Sequence, residues 1–421
     1  MIRPERYART DLRKIQQACC HVFMHAEALR PHTTASAGHT ALRFPFIETL
    51  TWEQVHKAYR NNVLRYHPDK HQDKPYALIE RLGRHMEKVN YAYEYLAGCF
   101  GRKTPCPSEE LSGAGRIIAV GGAKGGIGKS ILTANMGLLM AKAGLKTVVV
   151  DLDLGGSDLH IYLGEKVIPP VTLNDYLNRK HANLEDVVLR RPNKPMLIAG
   201  NSSEVGSANI PFMRKKKLLD NLRKLGADYI ILDLGGGTDY NTLDFFLAAD
   251  TGIVMTTLDQ PAYIEAYAFI KTALQRKLRG LFMADSTFIC RDNFQLKEIV
   301  YTCTEAADKN HPRTIEDLLM SVHKNQPLSL PLIADEVLGF SPYLVVNRCF
   351  DPHAAARVVS NLGSVALKRL SINLTHLGSV GLHRELEHAT SYLHHPVAAR
   401  HPGGSLAHDL SAVLRRLGIF R

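Results

Sequence analysis

Several things are scarce in this sequence, and each scarcity removes a class of protein. None of its 421 residues fall in an apolar run near the roughly 18 that a membrane span needs. There is no internal repeat and no long low-complexity tract, so solenoid and fibrous architectures drop out. The seven cysteines (Cys19, Cys20, Cys99, Cys106, Cys290, Cys303 and Cys349) are odd in number, scattered, and contain no CxxC. That pattern argues against a disulfide framework, a zinc ribbon and an iron–sulfur carrier, and it favours a reducing compartment. The twenty histidines show no metal-ligand spacing with cysteine. The first residues are charged and lead into no clean apolar segment, so a secretory signal is not expected.

What is present is ordinary in bulk. Hydrophobic residues make up 45% and charged residues 22%, which suits a folded chain of two or three domains. The net charge of +11 is the one unusual number. It splits almost evenly, +5 over residues 1–110 and +6 over the remainder, so no half is a basic tail. The densest run is Arg214-Lys215-Lys216-Lys217, with Arg223 and Lys224 beyond it. Interleaved Leu218, Leu219 and Leu222 predict an amphipathic helix with a basic outer face. That face reads as solvated surface, with a DNA or membrane contact as the alternative.

Four segments are expected. Residues 1–42 form an N-terminal extension and linker, 43–100 a helical module, 101–114 a linker rich in Pro, Ser and Gly, and 115–421 the main domain. In the main domain short apolar runs alternate with helical patterns. Strand candidates are Arg116–Val120, Thr147–Val150, Met196–Ala199, Tyr229–Leu232, Gly252–Thr256 and Tyr343–Val346. Lys129–Ala143 is a helix closed by Gly144. Unbroken apolar strands spaced by helices imply an α/β fold with a mostly parallel sheet flanked by helices. Residues 276–340 interrupt the rhythm and read as a helical insertion.

The strongest chemical signal is Gly121-Gly122-Ala123-Lys124-Gly125-Gly126-Ile127-Gly128-Lys129-Ser130. It lies between a predicted strand and a predicted helix, the context that confirms a P-loop. Glycines let backbone N–H groups converge on phosphate oxygens, and the helix N-terminus adds its positive dipole end. Lys129 would reach the β- and γ-phosphates, and the Ser130 hydroxyl would ligate Mg²⁺. ATP binding would therefore use Gly125, Gly126, Ile127, Gly128, Lys129 and Ser130. The second lysine, Lys124, is one that an ordinary P-loop does not need.

Lys124 and Lys129 at this spacing form a deviant Walker A motif, and here the sequence resembles the MinD/ParA family of P-loop ATPases. Val148-Val149-Val150-Asp151-Leu152-Asp153 resembles the family's switch segment, and Tyr229-Ile230-Ile231-Leu232-Asp233 its Walker B strand. Val345-Val346-Asn347-Arg348 resembles the strand whose Asn reads adenine. The likeness runs from about Gly115 to Leu417, outside the insertion, and is nearest the MinD and FlhG branch. It implies a P-loop NTPase fold and Mg²⁺-dependent ATP hydrolysis. Ser130, Asp151 and Asp233 would serve the metal, Asp153 would orient the attacking water, and Lys124 would cross to a partner's nucleotide in an ATP-bound homodimer. Asn347 and Arg348 would complete the ATP site. The segments Gly235-Gly236-Gly237 and Leu258-Asp259-Gln260-Pro261 depart from the usual pattern, and the insertion is larger than in typical division-site members.

A second resemblance precedes the first. His67-Pro68-Asp69 stands between two apolar-faced helical stretches, Thr51–Tyr66 and Tyr76–Leu96. Over about Phe44 to Ala97 the segment resembles the J domain of DnaJ-type co-chaperones. That implies contact with a DnaK-type chaperone through His67, Pro68 and Asp69 and through the basic residues Lys57, Arg60 and Arg65. The alternative is a helical hairpin that merely docks. The tyrosines Tyr59, Tyr66, Tyr91, Tyr93 and Tyr95 read as helix packing rather than a base-stacking platform.

At the C-terminus Leu406, Leu410, Val413, Leu414 and Leu417 share one helical face, with Arg415 and Arg416 beside it. The stretch is expected either to pack on the sheet or to bind a membrane surface once dimerised. The functional expectation is a cytoplasmic positional switch, peripheral at the inner face of the cell membrane, that places a division site, flagella or other cargo. An activator protein of unknown identity would trigger it. A ParA-like ATPase on non-specific DNA, or a co-chaperone with a nucleotide-gated platform, are the alternatives.

Overall fold

The computed structural model describes residues 51–66, 89, 92–93, 96, 115–202, 210–283, 293–305, 314–383 and 403–420. The chain divides into two compact units. One draws its described residues from the N-terminal helix, from 277–340 and from 365–372; the other comprises the described parts of 112–276, 341–364 and 373–421. The helical insertion is thus grouped with the N-terminal segment rather than with the sheet.

In the first unit, α1 spans Trp52–Tyr66. Val55 and Ala58 are buried, as are Val89, Ala92 and Leu96 of the later helical residues. Tyr59 stacks on Tyr93 with ring centroids 3.9 Å apart, and His56 Nδ1 lies 2.7 Å from the Tyr93 hydroxyl. Tyr59 and Tyr93 therefore act in packing, and the side chains of Tyr66, Tyr91 and Tyr95 lie outside the described residues. His67, Pro68 and Asp69 lie outside the described residues, as do 1–42 and 101–114. Lys57 and Arg60 are exposed on α1, which also carries Arg65.

The second unit is a seven-stranded, all-parallel sheet. β1 is Arg116–Gly121, β2 Thr147–Leu152, β3 Met196–Ile198 and β4 Tyr229–Leu234. β5 is Thr251–Thr256, β6 Tyr343–Cys349 and β7 Thr375–Gly381, and the spatial order is β3-β2-β4-β1-β5-β6-β7. Between β1 and β2 runs α2, Lys129–Lys142, buried along most of its length against Ile118, Val149, Ile231 and Val345. Gly144 follows it at φ +86°, the left-handed conformation that ends a helix. The short helices α3 and α4 are Leu159–Tyr162 and Leu173–Leu177. α5 is Phe212–Arg223 and α6 Tyr240–Ala248, the latter capped by Asp239, which accepts from the N–H groups of Asn241 and Thr242.

α7, Gln260–Gly280, leaves the sheet unit near its end. α8, Phe294–Thr304, α9, Ile315–Asn325, and α10, Leu330–Leu338, follow, so the described residues of 276–340 are mostly helical. α11 is Pro352–Leu370 and α12 Ser405–Arg416. No helix among the described residues is long and apolar enough to cross a membrane.

Three sequence expectations change here. β7 has no strand signature in the sequence, because Leu377 is an extra residue opposite β6 and the register shifts from His376↔Leu344 to Gly378↔Val345. Such a bulge breaks the alternation that marks a strand. Second, the basic face of α5 is smaller than the residue count suggests. Lys215 points inward on the same face as Leu218 and Leu222, is 5% exposed, and donates to Asp244 Oδ2 at 2.7 Å. Arg276 grips the other side of Asp244 at 2.8 Å, and Arg223 makes two 2.9 Å bonds to Asp250. Third, the apolar face of α12 is already occupied. Leu406, Leu410, Val413 and Leu414 are at most 3% exposed in the same core as α2 and β7. A face buried in the fold is not free to enter a membrane, so the C-terminal membrane contact is withdrawn.

Candidate functional site

The site lies at the carboxyl edge of the sheet, where open α/β folds bind their ligands. β1 runs out at Gly121 and the glycine loop connects it to α2, so the helix N-terminus faces the loop. Gly126 and Gly128 stand at φ +72° and +94°. A Cβ at Gly128 would collide with the amide of Asn347, whose Nδ2 donates to Ile127 O at 2.7 Å. Glycine here is thus required twice, by its own dihedral and by the side chain that β6 delivers.

A cavity of about 370 Å³ opens above the loop. Gly125, Gly126, Gly128, Lys129 and Ser130 form its floor. Asp153, Asn347 and Arg348 line it from the ends of β2 and β6. These sequence-predicted residues are therefore brought together. Ile127 is buried beneath the loop, and Lys124 is half-buried and not on the cavity wall.

Behind the floor sit carboxylates in neighbouring strands. Asp151 of β2 and Asp233 of β4 are register partners, both fully buried. Asp151 accepts N–H bonds from Asp153 at 3.1 Å and Leu159 at 3.2 Å. Asp233 Oδ1 accepts from the Thr133 hydroxyl at 3.2 Å, while its Oδ2 is buried without a hydrogen-bond partner. Burial, and then Asp233 beside it, pushes the Asp151 carboxyl well above the usual range. Burial pushes Asp233 up to about 7, against the pull of Ser130, Lys129 and Thr133. Burial also lowers the Lys129 ammonium, with Asp233, Asp153 and Asp158 opposing. Lys129 Nζ donates to Lys124 O at 3.2 Å and so lies across the loop.

The residues present fit Mg²⁺. An orphaned buried carboxylate oxygen, with the Ser130 hydroxyl acting on both Asp233 and Asp158, is what a hard cation with phosphate and water ligands would complete. Among the described residues no three His, Cys, Asp or Glu side chains are grouped so that they could hold a metal ion by themselves.

Sequence reasoning missed several lining residues. Asp158 lines the cavity together with Ser130 and Tyr162, and burial raises its pKa against the pull of those two hydroxyls. Burial, with Asp158 next to it, pushes the Tyr162 hydroxyl up to about 12. Asp158 follows Asp153 by five residues, and the intervening Gly155-Gly156 turn was the available signal. Gly236 is seated so that a Cβ would stand 3.1 Å from Gly125 N, which explains the glycine run after β4: a side chain there would press on the loop. Gly381, Leu382 and His383 complete the wall from β7, the strand that carries no signature.

A glycine loop on the central strand, an acidic pair on the paired strands β2 and β4 and an amide reaching across from β6 define a nucleotide-binding α/β domain. The chain belongs to the family described as the CobQ/CobB/MinD/ParA nucleotide binding domain, whose model matches residues 118–379. It is 30% identical over 182 residues to the flagellum site-determining protein YlxH of Helicobacter pylori, covering 42% of this chain and 59% of that protein. It is 31% identical over 156 residues to the septum site-determining protein MinD of Thermotoga maritima, covering 36% and 56%. The chain spans about half the length of the curated relatives it matches. The cell division ATPase MinD of Pyrococcus furiosus overlays with a TM-score of 0.45 at 18% identity, covering 72% of this chain and 98% of that one.

Proposed function

We propose that the protein binds and hydrolyses Mg²⁺-ATP and works as a positional switch of the MinD and FlhG kind, cycling between an ATP-bound homodimer and a dissociated form in the cytoplasm. The observation that carries this reading is the convergence of Lys129, Ser130, Asp153 and Asn347 on one cavity over a glycine loop, backed by the unpartnered Asp233 oxygen. Phosphoryl transfer asks for positioning and charge neutralisation rather than a covalent catalyst. In this assignment Lys129 and the loop N–H groups hold the phosphates. Ser130 and Asp233, with Asp151 behind, hold Mg²⁺, which supplies charge neutralisation at the phosphates. Asp153, on the open wall, orients water. Asn347 keeps its Oδ1 for the adenine amino group, since its Nδ2 is engaged by Ile127 O. Lys124, off the cavity wall, is assigned to the nucleotide of a second copy.

The test is ATP turnover against protein concentration. A lysine delivered in trans makes specific activity rise with concentration, and Lys124→Ala or Asp153→Ala abolishes turnover while circular dichroism is unchanged. Unchanged turnover in both variants sinks the mechanism. The relatives named for flagellum and septum placement support a positioning role, and the cargo and activator are to be sought among proteins that co-purify only with the ATP form.

A DNA-bound switch is the second reading, because Lys216, Lys217 and Lys224 remain exposed on and just beyond α5. Its sign would be ATP-stimulated DNA binding that falls steeply with salt. For the N-terminal module we propose a J-like hairpin that contacts a DnaK-type chaperone, supported by the exposed Lys57 and Arg60 on α1. His67→Gln should then remove stimulation of a DnaK-type ATPase by the full chain, and equal stimulation by both forms would refute it.

A further inference from the structure

One side-chain cluster at the cavity has no part in the chemistry above. After β7 the chain places Leu382 and His383 on the cavity wall. His383 is nearly buried and is held at both ring nitrogens: Nε2 is 3.0 Å from Asp409 Oδ2 and Nδ1 is 2.9 Å from the Ser405 hydroxyl. Asp409 Oδ2 also accepts the Gly381 N–H at 2.9 Å, so the end of β7 and the ring share one anchor on α12. A carboxylate can only accept, so Nε2 donates to Asp409, and Nδ1 is paired with the Ser405 hydroxyl.

This arrangement removes the usual uses of a histidine. Neither nitrogen is left to bond a ligand, ligate a metal or exchange a proton with substrate. The ring can offer only its flat face and C–H edge, next to the half-exposed apolar side chain of Leu382. The glycine loop supplies one part of the cavity lining, and the β6 and β7 termini, with Leu382 and His383 beyond β7, supply another. A fixed aromatic ring beside an aliphatic side chain suits a planar heterocycle, which stacks on π-faces.

We propose that His383 is a specificity-determining residue that packs its ring on the base of the bound nucleotide, with Asp409 and Ser405 as positioning residues that lock the ring. The inference rests on the nucleotide reading of the cavity and extends it. Because stacking grows with overlapped area, the site selects purine over pyrimidine nucleoside triphosphates.

The experiment is calorimetric titration of the full chain with Mg²⁺-ATP, Mg²⁺-CTP and inorganic tripolyphosphate, a probe that has the phosphates but no base. The wild type should bind ATP more tightly than CTP. His383→Ala should weaken ATP about tenfold, bring it close to CTP, and leave tripolyphosphate unchanged. His383→Phe, which keeps a ring without nitrogens, should restore ATP to within a few-fold of wild type. Asp409→Asn should fall between wild type and His383→Ala. Unchanged ATP affinity in His383→Ala overturns the proposal. Equal loss of ATP and tripolyphosphate overturns it too, since the residue would then serve only the fold. Failure of His383→Phe to rescue overturns the stacking mode. If the wild type binds neither ATP nor tripolyphosphate, the nucleotide reading itself has failed; binding of tripolyphosphate that Lys129→Ala abolishes keeps that reading intact.

Discussion

Replacing Asp233 by Asn should make the unliganded protein more stable at alkaline pH while disabling it. The carboxyl is fully buried beside Asp151, and burial raises its pKa from 3.8 to about 7. A carboxyl raised in this way contributes stability that is complete below pH 4 and is lost as pH climbs through 7. At about 1.4 kcal/mol for each tenfold in proton affinity, this group lowers stability by roughly 1.5 kcal/mol at pH 5 and roughly 4 kcal/mol at pH 8. Asn keeps the acceptor for Thr133 and places an uncharged amide where Oδ2 has no partner. Stability should then decline between pH 5 and pH 8 by about 2–3 kcal/mol less in Asp233→Asn than in wild type. The only tryptophan, Trp52, belongs to the other unit, so the readout should be hydrogen exchange of β4 amides. The same variant should lose the Mg²⁺-dependent part of nucleotide stabilisation. Parallel pH profiles for the two proteins would refute the reasoning.

Other perturbations separate structure from surface. Lys215→Ala should destabilise the sheet unit by about 2–4 kcal/mol, below the full cost of an orphaned buried charge because Arg276 stays on Asp244, as urea unfolding would read. Lys216→Ala and Lys217→Ala on the exposed side should change stability by less than about 0.5 kcal/mol. Leu410→Ala should cost about 2–5 kcal/mol in melting experiments and leave liposome association unchanged, because the face of α12 is core. Gly236→Ala should weaken Mg²⁺-ATP binding at least several-fold in titration, since the added methyl meets Gly125 N.

The site was legible where its residues are close in sequence. The glycine loop, Lys129, Ser130, Asp151 and Asp153 sit on short segments whose spacing states their chemistry, and β1, β2, β4 and β6 are apolar because both faces are covered. Lys215 was legible in principle, since it shares the helical period of Leu218 and Leu222, but four basic residues in a row drew attention to charge rather than phase. β7 was hidden by its bulge, and with it the wall formed by Gly381, Leu382 and His383. Asp158 reaches Ser130 only because the turn after β2 folds back until Leu159 N–H bonds Asp151. The His383 cluster joins residues 22 to 26 positions apart, and no local pattern encodes such a contact.

The most direct test of the switch is the mass of Asp153→Ala in solution, by light scattering, with Mg²⁺-ATP, with Mg²⁺-ADP and without nucleotide. The account predicts a dimer with ATP alone, and a return to monomer when Lys124→Ala is added. A monomer under all three conditions, or a dimer indifferent to nucleotide, would contradict it.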